Sequence, residues 1–227
     1  MSYDITFHIG LHKTGSTFLQ KEVFPKMDVN FLGRGDIAKP FTGKKDLVKN
    51  KKNLISDEGL SCSMPFEYVT VRRIDKANEI KKKYPNAKII VVFRNRSDWI
   101  DALYSEYVKM GGFHSFLYWY KNIFEIESSN FEAYKKFLKS LFDSVLILDF
   151  KDFTCNNKKF IKKICDFIGV SAPEYNNVKI GRRLKGYEIT VLRTINILFK
   201  SNMNKNGLLP KRLHPILYAH KKRWNLK

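Results

Sequence analysis

Apolar residues along this chain follow two rhythms, and the alternation between them predicts the architecture. Continuous β-branched or aromatic runs mark strands at 4–9 (DITFHI), 29–33 (VNFLG), 53–56 (NLIS), 88–93 (KIIVVF) and 144–150 (SVLILDF). KIIVVF has no polar alternation, the pattern of a strand buried on both faces of a parallel sheet. Helical patterns fall between the runs. FLQKEVF, 18–24, reads as a short helix stopped by Pro25. A charged helix spans 71–84 and ends before Pro85. Another follows Arg94-Asn95-Arg96, with Ser97 or Asp98 as its cap and Asp101 in its first turn. Phe131, Tyr134, Leu138 and Leu141 recur at helical spacing, as do Phe160, Ile161, Ile164, Phe167 and Ile168 before Gly169. Residues 186–199 read as a last helix. Strands alternating with helices predict an α/β fold: a central parallel sheet flanked by helices, in three layers. Ligands of such folds sit at the carboxyl ends of the strands. Residues 34–53 are polar and lysine-rich, a surface segment. The expected organisation is one domain over 1–199 and a basic C-terminal extension over 200–227.

Composition narrows the partners. The 227 residues are 44% hydrophobic and 14% aromatic, enough for a packed core. No apolar run reaches the roughly 18–20 residues of a membrane span. MSYDITFHIG lacks the basic start and apolar stretch of a secretory signal, so a cytoplasmic protein is expected. Cys62, Cys155 and Cys165 are too few and too scattered for a disulfide framework or a zinc site, and read as reduced thiols. The 42 Lys and Arg against 22 Asp and Glu give a net charge of +20, which calls for an anionic partner. A phosphorylated cofactor, an acidic glycan, an anionic membrane surface and nucleic acid all satisfy that demand. No recognition-helix or RNA-binding signature accompanies the charge, so nucleic acid is not the expected partner. The basic tail, with Leu208, Leu209, Leu213, Ile216, Leu217 and Trp224, suits either peripheral contact with the inner membrane surface or packing on the domain.

HIGLHKTGSTFLQ, residues 8–20, carries the chemistry. Gly10, Gly15 and Thr17 have the spacing of the nucleotide-binding loop G-x-x-x-x-G-K-[ST], but Ser16 stands where its lysine belongs. A glycine-bounded loop between a strand and a helix still presents backbone N–H groups to an anion. The lysine of an NTP site serves the β- and γ-phosphates. Here Lys13 lies inside the loop, suited to a donor whose single 5′-phosphate carries a transferable group. Val145–Asp149 imitates the second strand motif of ATP sites, but without the loop lysine it reads as a sheet strand ending in an acid.

Gly10-Leu11-His12-Lys13-Thr14-Gly15-Ser16-Thr17 resembles the 5′-phosphosulfate-binding loop of sulfotransferases that use 3′-phosphoadenosine 5′-phosphosulfate (PAPS). KIIVVFRNRSDWIDALYSEYVK, 88–109, resembles their buried strand ending in arginine and the helix after it. NLISDEGLS, 53–61, is similar to the strand and acidic turn of bacterial members. The resemblance covers most of 4–200. It implies a P-loop-like fold, transfer of a sulfuryl group to a hydroxyl of a carbohydrate or glycolipid, and release of adenosine 3′,5′-bisphosphate (PAP), with no metal. It assigns the 5′-phosphate to the amides of Thr14, Gly15, Ser16 and Thr17 and the hydroxyls of Ser16 and Thr17. Lys13 would neutralise the oxygen bridging sulfur and phosphorus, and Arg94 would bind the 3′-phosphate. The family's 3′-phosphate serine falls at Ala102 here. Either Ser105, one turn further along the helix, takes its place, or Arg96, Arg182 or Lys185 carries more of the load. IGRRLKGYE, 180–188, stands where the family has a late cofactor loop. Glu58 is the first choice for the base that takes the acceptor's proton, with Asp57 and His12 as alternatives. The aromatic stretch of Phe113, His114, Phe116, Tyr118, Trp119 and Tyr120 either lines the acceptor cleft or packs in the core. Three other readings remain: an atypical P-loop kinase, a polyanion-binding module, and a sulfotransferase fold kept only for binding. The acceptor and the oligomeric state are not legible.

Overall fold

The computed structural model describes residues 3–33, 46–61, 69–178 and 184–215, with 69 and 70 described by backbone alone. The chain falls into two compact units, Met1–Arg96 with Glu125–Ile180, and Ser97–Phe124 with Gly181–Lys227.

The first unit is built on five parallel strands. β1 (Ile5–His8), β2 (Asn30–Gly33), β3 (Asn53–Ser56), β4 (Lys88–Phe93) and β5 (Val145–Asp149) lie in the order β2-β3-β1-β4-β5. The helices, in chain order, begin with α1 (Ser16–Phe18), which continues as a π-turn over Leu19–Val23 and a 3-10 turn over Phe24–Lys26. Then come α2 (Val69–Lys83), α3 (Arg96–Lys109), α4 (Phe116–Asn122), α5 (Phe131–Leu141), α6 (Phe150–Cys155), α7 (Asn157–Ile168) and α8 (Gly186–Leu198). Residues paired across a parallel ladder share a face. Phe7 pairs with Ile55 and Ile89, and His8 with Ser56 and Ile90. One face therefore carries Leu54, Ile90, Val92 and Leu148, packed against Phe18 to Met27 and against Phe160, Ile161, Ile164 and Ile168 of α7. On the other face Phe93 meets Phe131 and Tyr134 of α5, with ring centroids 5.2 and 6.4 Å apart, and Phe7 meets Tyr84 beyond α2 at 5.7 Å. Helices on both faces make the three-layer α/β fold that the alternating pattern predicts.

Three local expectations are corrected. The first helical segment is not confined to 18–24: it starts at Ser16 and passes through Pro25 to Lys26. Pro25 lies in the first turn of the 3-10 segment, where its missing N–H costs little. Leu19, Val23 and Phe24 are fully buried, and each contributes about 1.5–3 kcal/mol, more than one weakened turn. The helix after β4 begins at Arg96, so Asp98, not Asp101, is the acid of its first turn. β5 is an edge strand whose Val145, Leu146 and Ile147 are only half-buried, and Phe150 already belongs to α6. Among the cysteines, Cys155 is exposed and Cys165 buried, both unbridged, and burial pushes the Cys165 thiol up to about 11. Cys62 lies outside the described residues.

The second unit packs α3, α4, α8 and the segment through 215. Trp119 is fully buried among Tyr104, Tyr107 and Phe124. The aromatic stretch divides accordingly: Trp119 is core, while Phe116, Leu117 and Tyr118 are exposed. Residues 200–215 are fastened by buried polar groups. Ser201 Oγ donates to Gly111 O at 3.1 Å, and His214 Nε2 meets Asn196 Oδ1 at 2.8 Å.

Candidate active site

The loop after β1 is held by the sheet before it turns. Ile9 N donates to Ile90 O at 3.0 Å, Leu11 N to Val92 O at 3.1 Å, and Val92 N to Gly10 O at 2.6 Å. The second half is tied to the first: Thr14 Oγ1 donates to Leu11 O at 2.5 Å and Ser16 Oγ to the same oxygen at 3.3 Å. Three residues take left-handed backbone, Gly10 (φ 95°), Lys13 (φ 63°) and Gly15 (φ 87°). Glycine does so freely. A lysine there costs about 1–2 kcal/mol, so other contacts must hold it. One is Arg94 at the end of β4, whose Nη1 donates to Lys13 O at 3.2 Å. The Arg94 guanidinium lies 5.0 Å from the centre of the Phe150 ring. Phe150 and Phe153 also pack under Gly15, where an added Cβ would meet them at 3.3 and 3.4 Å. The first helical donors are Phe18 N and Leu19 N, both to Gly15 O, at 2.9 and 3.2 Å. The amides of Ser16 and Thr17 precede them, as helix-start donors do.

The acidic turn after β3 closes on this loop. Asp57 caps it: Oδ1 accepts from Gly59 N at 2.8 Å, and Asp57 N donates to His8 O at 3.2 Å. The Ser61 hydroxyl donates to Ile9 O. The approach is so close that a Cβ on Gly10 would stand 2.9 Å from Glu58 Cβ and 3.1 Å from Glu58 Cα. Gly10→Ala therefore meets both a positive φ and a backbone collision. It is expected to cost about 2 kcal/mol in urea unfolding. An unchanged urea midpoint would show that the turn does not bear on the loop.

Glu58 is half-buried and joined to a polar network that sequence reasoning missed. Gln20 Nε2 donates to Glu58 Oε2 at 2.8 Å and to Ser56 Oγ at 3.0 Å, and Ser56 Oγ lies 2.7 Å from His8 Nδ1. Burial holds the His8 imidazole down at about 4, against the pull of Glu58, so it is neutral at pH 7. For Glu58, burial acts upward. Its own backbone amide, Gln20, His12 and His8 together outweigh that and hold the carboxyl below its ordinary value. Glu58 is thus a carboxylate at neutral pH, with His12 near enough to act on it. One signal did exist in the sequence: His8 is a titratable residue inside an apolar strand, and burial obliges it to find a partner.

Lys13, Thr14, Gly15, Ser16, Thr17, Glu58, His12 and Arg94 all come together around one loop in the first unit. Ser105 and Lys185 belong to the second unit. Ser105 is buried on α3 and its Oγ accepts from Leu184 N at 3.3 Å, which ties it to the segment entering Lys185. Lys185 is exposed at the start of α8, its amide bonded to Glu188 Oε2 at 2.6 Å. Arg182 lies outside the described residues. Arg96 Nε donates to Ser129 Oγ at 2.9 Å. Asp149 caps α6 through Lys151 N at 2.7 Å, consistent with a strand-terminal acid.

Residues 69–174 match the model of the sulfotransferase family, a span that includes Arg94 and Ser105 but not the Lys13 loop. The chain is similar in structure to a sulfotransferase from Alicyclobacillus acidocaldarius, with 16% identity and a TM-score of 0.54. That match covers 87% of this chain and 93% of the other. A second similar structure is mouse sulfotransferase SULT7A1 complexed with PAP, with 14% identity and a TM-score of 0.45, covering 94% and 74% respectively. No curated protein sequence matches the chain. The match over 69–174 makes that span similar to the sulfotransferase family, and the chain as a whole shares its three-layer α/β fold with a solved sulfotransferase.

Proposed function

We propose that this protein transfers the sulfuryl group of PAPS to a hydroxyl of a carbohydrate or glycolipid acceptor and releases PAP, in the cytoplasm. One observation carries the reading. Lys13 is held in left-handed backbone within a glycine-bounded loop, and Arg94, the residue the family resemblance assigns to the 3′-phosphate, donates to its carbonyl. The donor set fits a phosphosulfate nucleotide: loop amides, two hydroxyls, a lysine and an arginine. When bound, PAPS supplies an activated sulfur whose bond to the bridging oxygen breaks as the acceptor oxygen attacks. The amides of Thr14 to Thr17 and the hydroxyls of Ser16 and Thr17 hold the 5′-phosphate. Lys13 offsets charge on the bridging oxygen as it leaves. Glu58 takes the acceptor's proton, and Gln20 keeps its carboxylate in place. Arg94 binds the 3′-phosphate.

Calorimetric titration with PAP, beside ATP with Mg²⁺, tests the donor. PAP is expected to bind much more tightly than ATP. Arg94→Ala is expected to weaken PAP by about tenfold to a hundredfold, the loss of a charge-assisted contact worth roughly 1.5–3 kcal/mol. Tight ATP binding with weak PAP binding would turn the assignment toward a kinase. Binding of neither would leave the loop without its proposed ligand.

A further inference from the structure

The second unit displays an apolar face that its own core does not use. Leu192 and Asn196 form the buried side of α8, and Asn196 Nδ2 donates to Val108 O and Gly112 O, both at 2.8 Å. Tyr187, Val191 and Leu198 lie on the opposite side, within about 40° of one another around the helix axis. All three are exposed, Tyr187 by 66%. The face continues into the next segment. Phe199 bridges Leu209, and Leu209 N donates to Leu198 O at 2.8 Å. Leu208 is 82% exposed, Leu209 41% and Leu213 58%.

This exposure is built rather than frayed. Asn204 Nδ2 donates to Asn196 O at 2.9 Å and to Ile197 O at 3.1 Å, and Asn204 is buried. A Cβ on Gly207 would fall 2.2 Å from Phe199 C, so the backbone that lifts Leu208 is closely seated. The charged residues that flank the leucines in sequence, from Arg193 to Arg212, are all basic. Lys200, Lys205, Lys211 and Arg212 are exposed. From Ile189 to Lys227 the sequence has nine Lys and Arg and no Asp or Glu.

We propose that this face docks on an anionic lipid surface. The leucines enter the boundary between headgroups and acyl chains, and the lysines and arginines lie among the lipid phosphates. Charge selects this occupant. A second copy of the chain would bring the same positive charge against the face. Exposed lysine is depleted where proteins meet proteins but favoured at a membrane surface. The inference does not depend on sulfuryl transfer, although a glycolipid acceptor would be presented at such a surface.

The test is flotation of the full chain with vesicles of phosphatidylcholine alone and of equal parts phosphatidylcholine and phosphatidylglycerol. Binding is expected only to the anionic vesicles. It should fall roughly tenfold or more in Leu208→Ser/Leu213→Ser, and by a similar factor in Lys211→Glu/Arg212→Glu. Circular dichroism melting confirms that each variant is folded. PAP titration of the same samples reads the nucleotide site separately, so loss of one property is not mistaken for loss of the other. Absence of vesicle binding, or binding that the leucine variant leaves unchanged, overturns the proposal. A leucine-dependent dimer in sedimentation, without vesicle binding, assigns the face to a second copy instead.

Discussion

Replacing Lys13 by alanine is expected to lower the rate of sulfuryl transfer by about 10²–10³ while PAP affinity changes by only severalfold. The asymmetry follows from what each part of the loop does. In the proposed site, backbone amides and two hydroxyls hold the 5′-phosphate in the ground state and survive the substitution. The charge on the bridging oxygen grows only as the sulfur departs, so a cation placed against it acts mainly on the barrier. Lys13 takes a left-handed backbone conformation that lysine does not adopt freely, and Arg94 donates to its carbonyl. Alanine at 13 keeps that backbone demand and loses the ammonium. Arginine at 13 is expected to restore only part of the rate, because a planar fork does not replace a compact point charge. Single-turnover rates with saturating PAPS, read beside PAP titration, separate the two effects. A rate within severalfold of wild type would remove Lys13 from the chemistry. An equal fall in affinity and rate would make it a binding residue.

Some of this was legible in the sequence and some was not, for physical reasons. β4 matched residue for residue because an inner parallel strand is buried on both faces, and Ile89 to Phe93 are apolar without a break. The loop was legible because its turn needs glycines at fixed spacing. SVLILDF looks as buried as KIIVVF, yet it lies at the sheet edge; a run of apolar residues reports hydrophobicity, not the number of neighbours. Pro25 was read as a stop because the local rule is sound for an α-helix interior, but the chain had already changed to a tighter turn there. Gln20 was invisible. Its partners Ser56 and Glu58 are 36 and 38 residues away, and nothing around it in sequence marks a glutamine that will face a carboxylate. Ser105 shows the same limit from the other side: helical spacing placed it, but only the fold shows that its hydroxyl accepts from Leu184.

Glu58→Gln is expected to reduce transfer by about 10²–10⁴, the range for loss of a positioned base. The substitution keeps the shape and lets Gln20 still donate to the side-chain oxygen, so the fold should persist. What it removes is the charge that draws the acceptor's proton. Wild-type Glu58 is ionised below the usual carboxylate range because its own amide, Gln20, His12 and His8 together outweigh burial. The rate should therefore rise with pH through an acid limb lying below that range and be flat near neutrality. Gln20→Ala removes one hydrogen bond to the charged form. That raises the Glu58 pKa and moves the limb to higher pH, a shift that mere loss of stability would not produce. Stability has the matching sign: a carboxyl with a lowered folded-state pKa contributes above its unfolded value, and loses that contribution as pH falls through the folded one. Asp57→Asn and His12→Ala complete the comparison. Asp57 holds Gly59 N and should act mainly on folding. If Glu58→Gln keeps its rate and His12→Ala does not, the base is His12. If Gln20→Ala leaves the limb where it was, the limb belongs to a group other than Glu58.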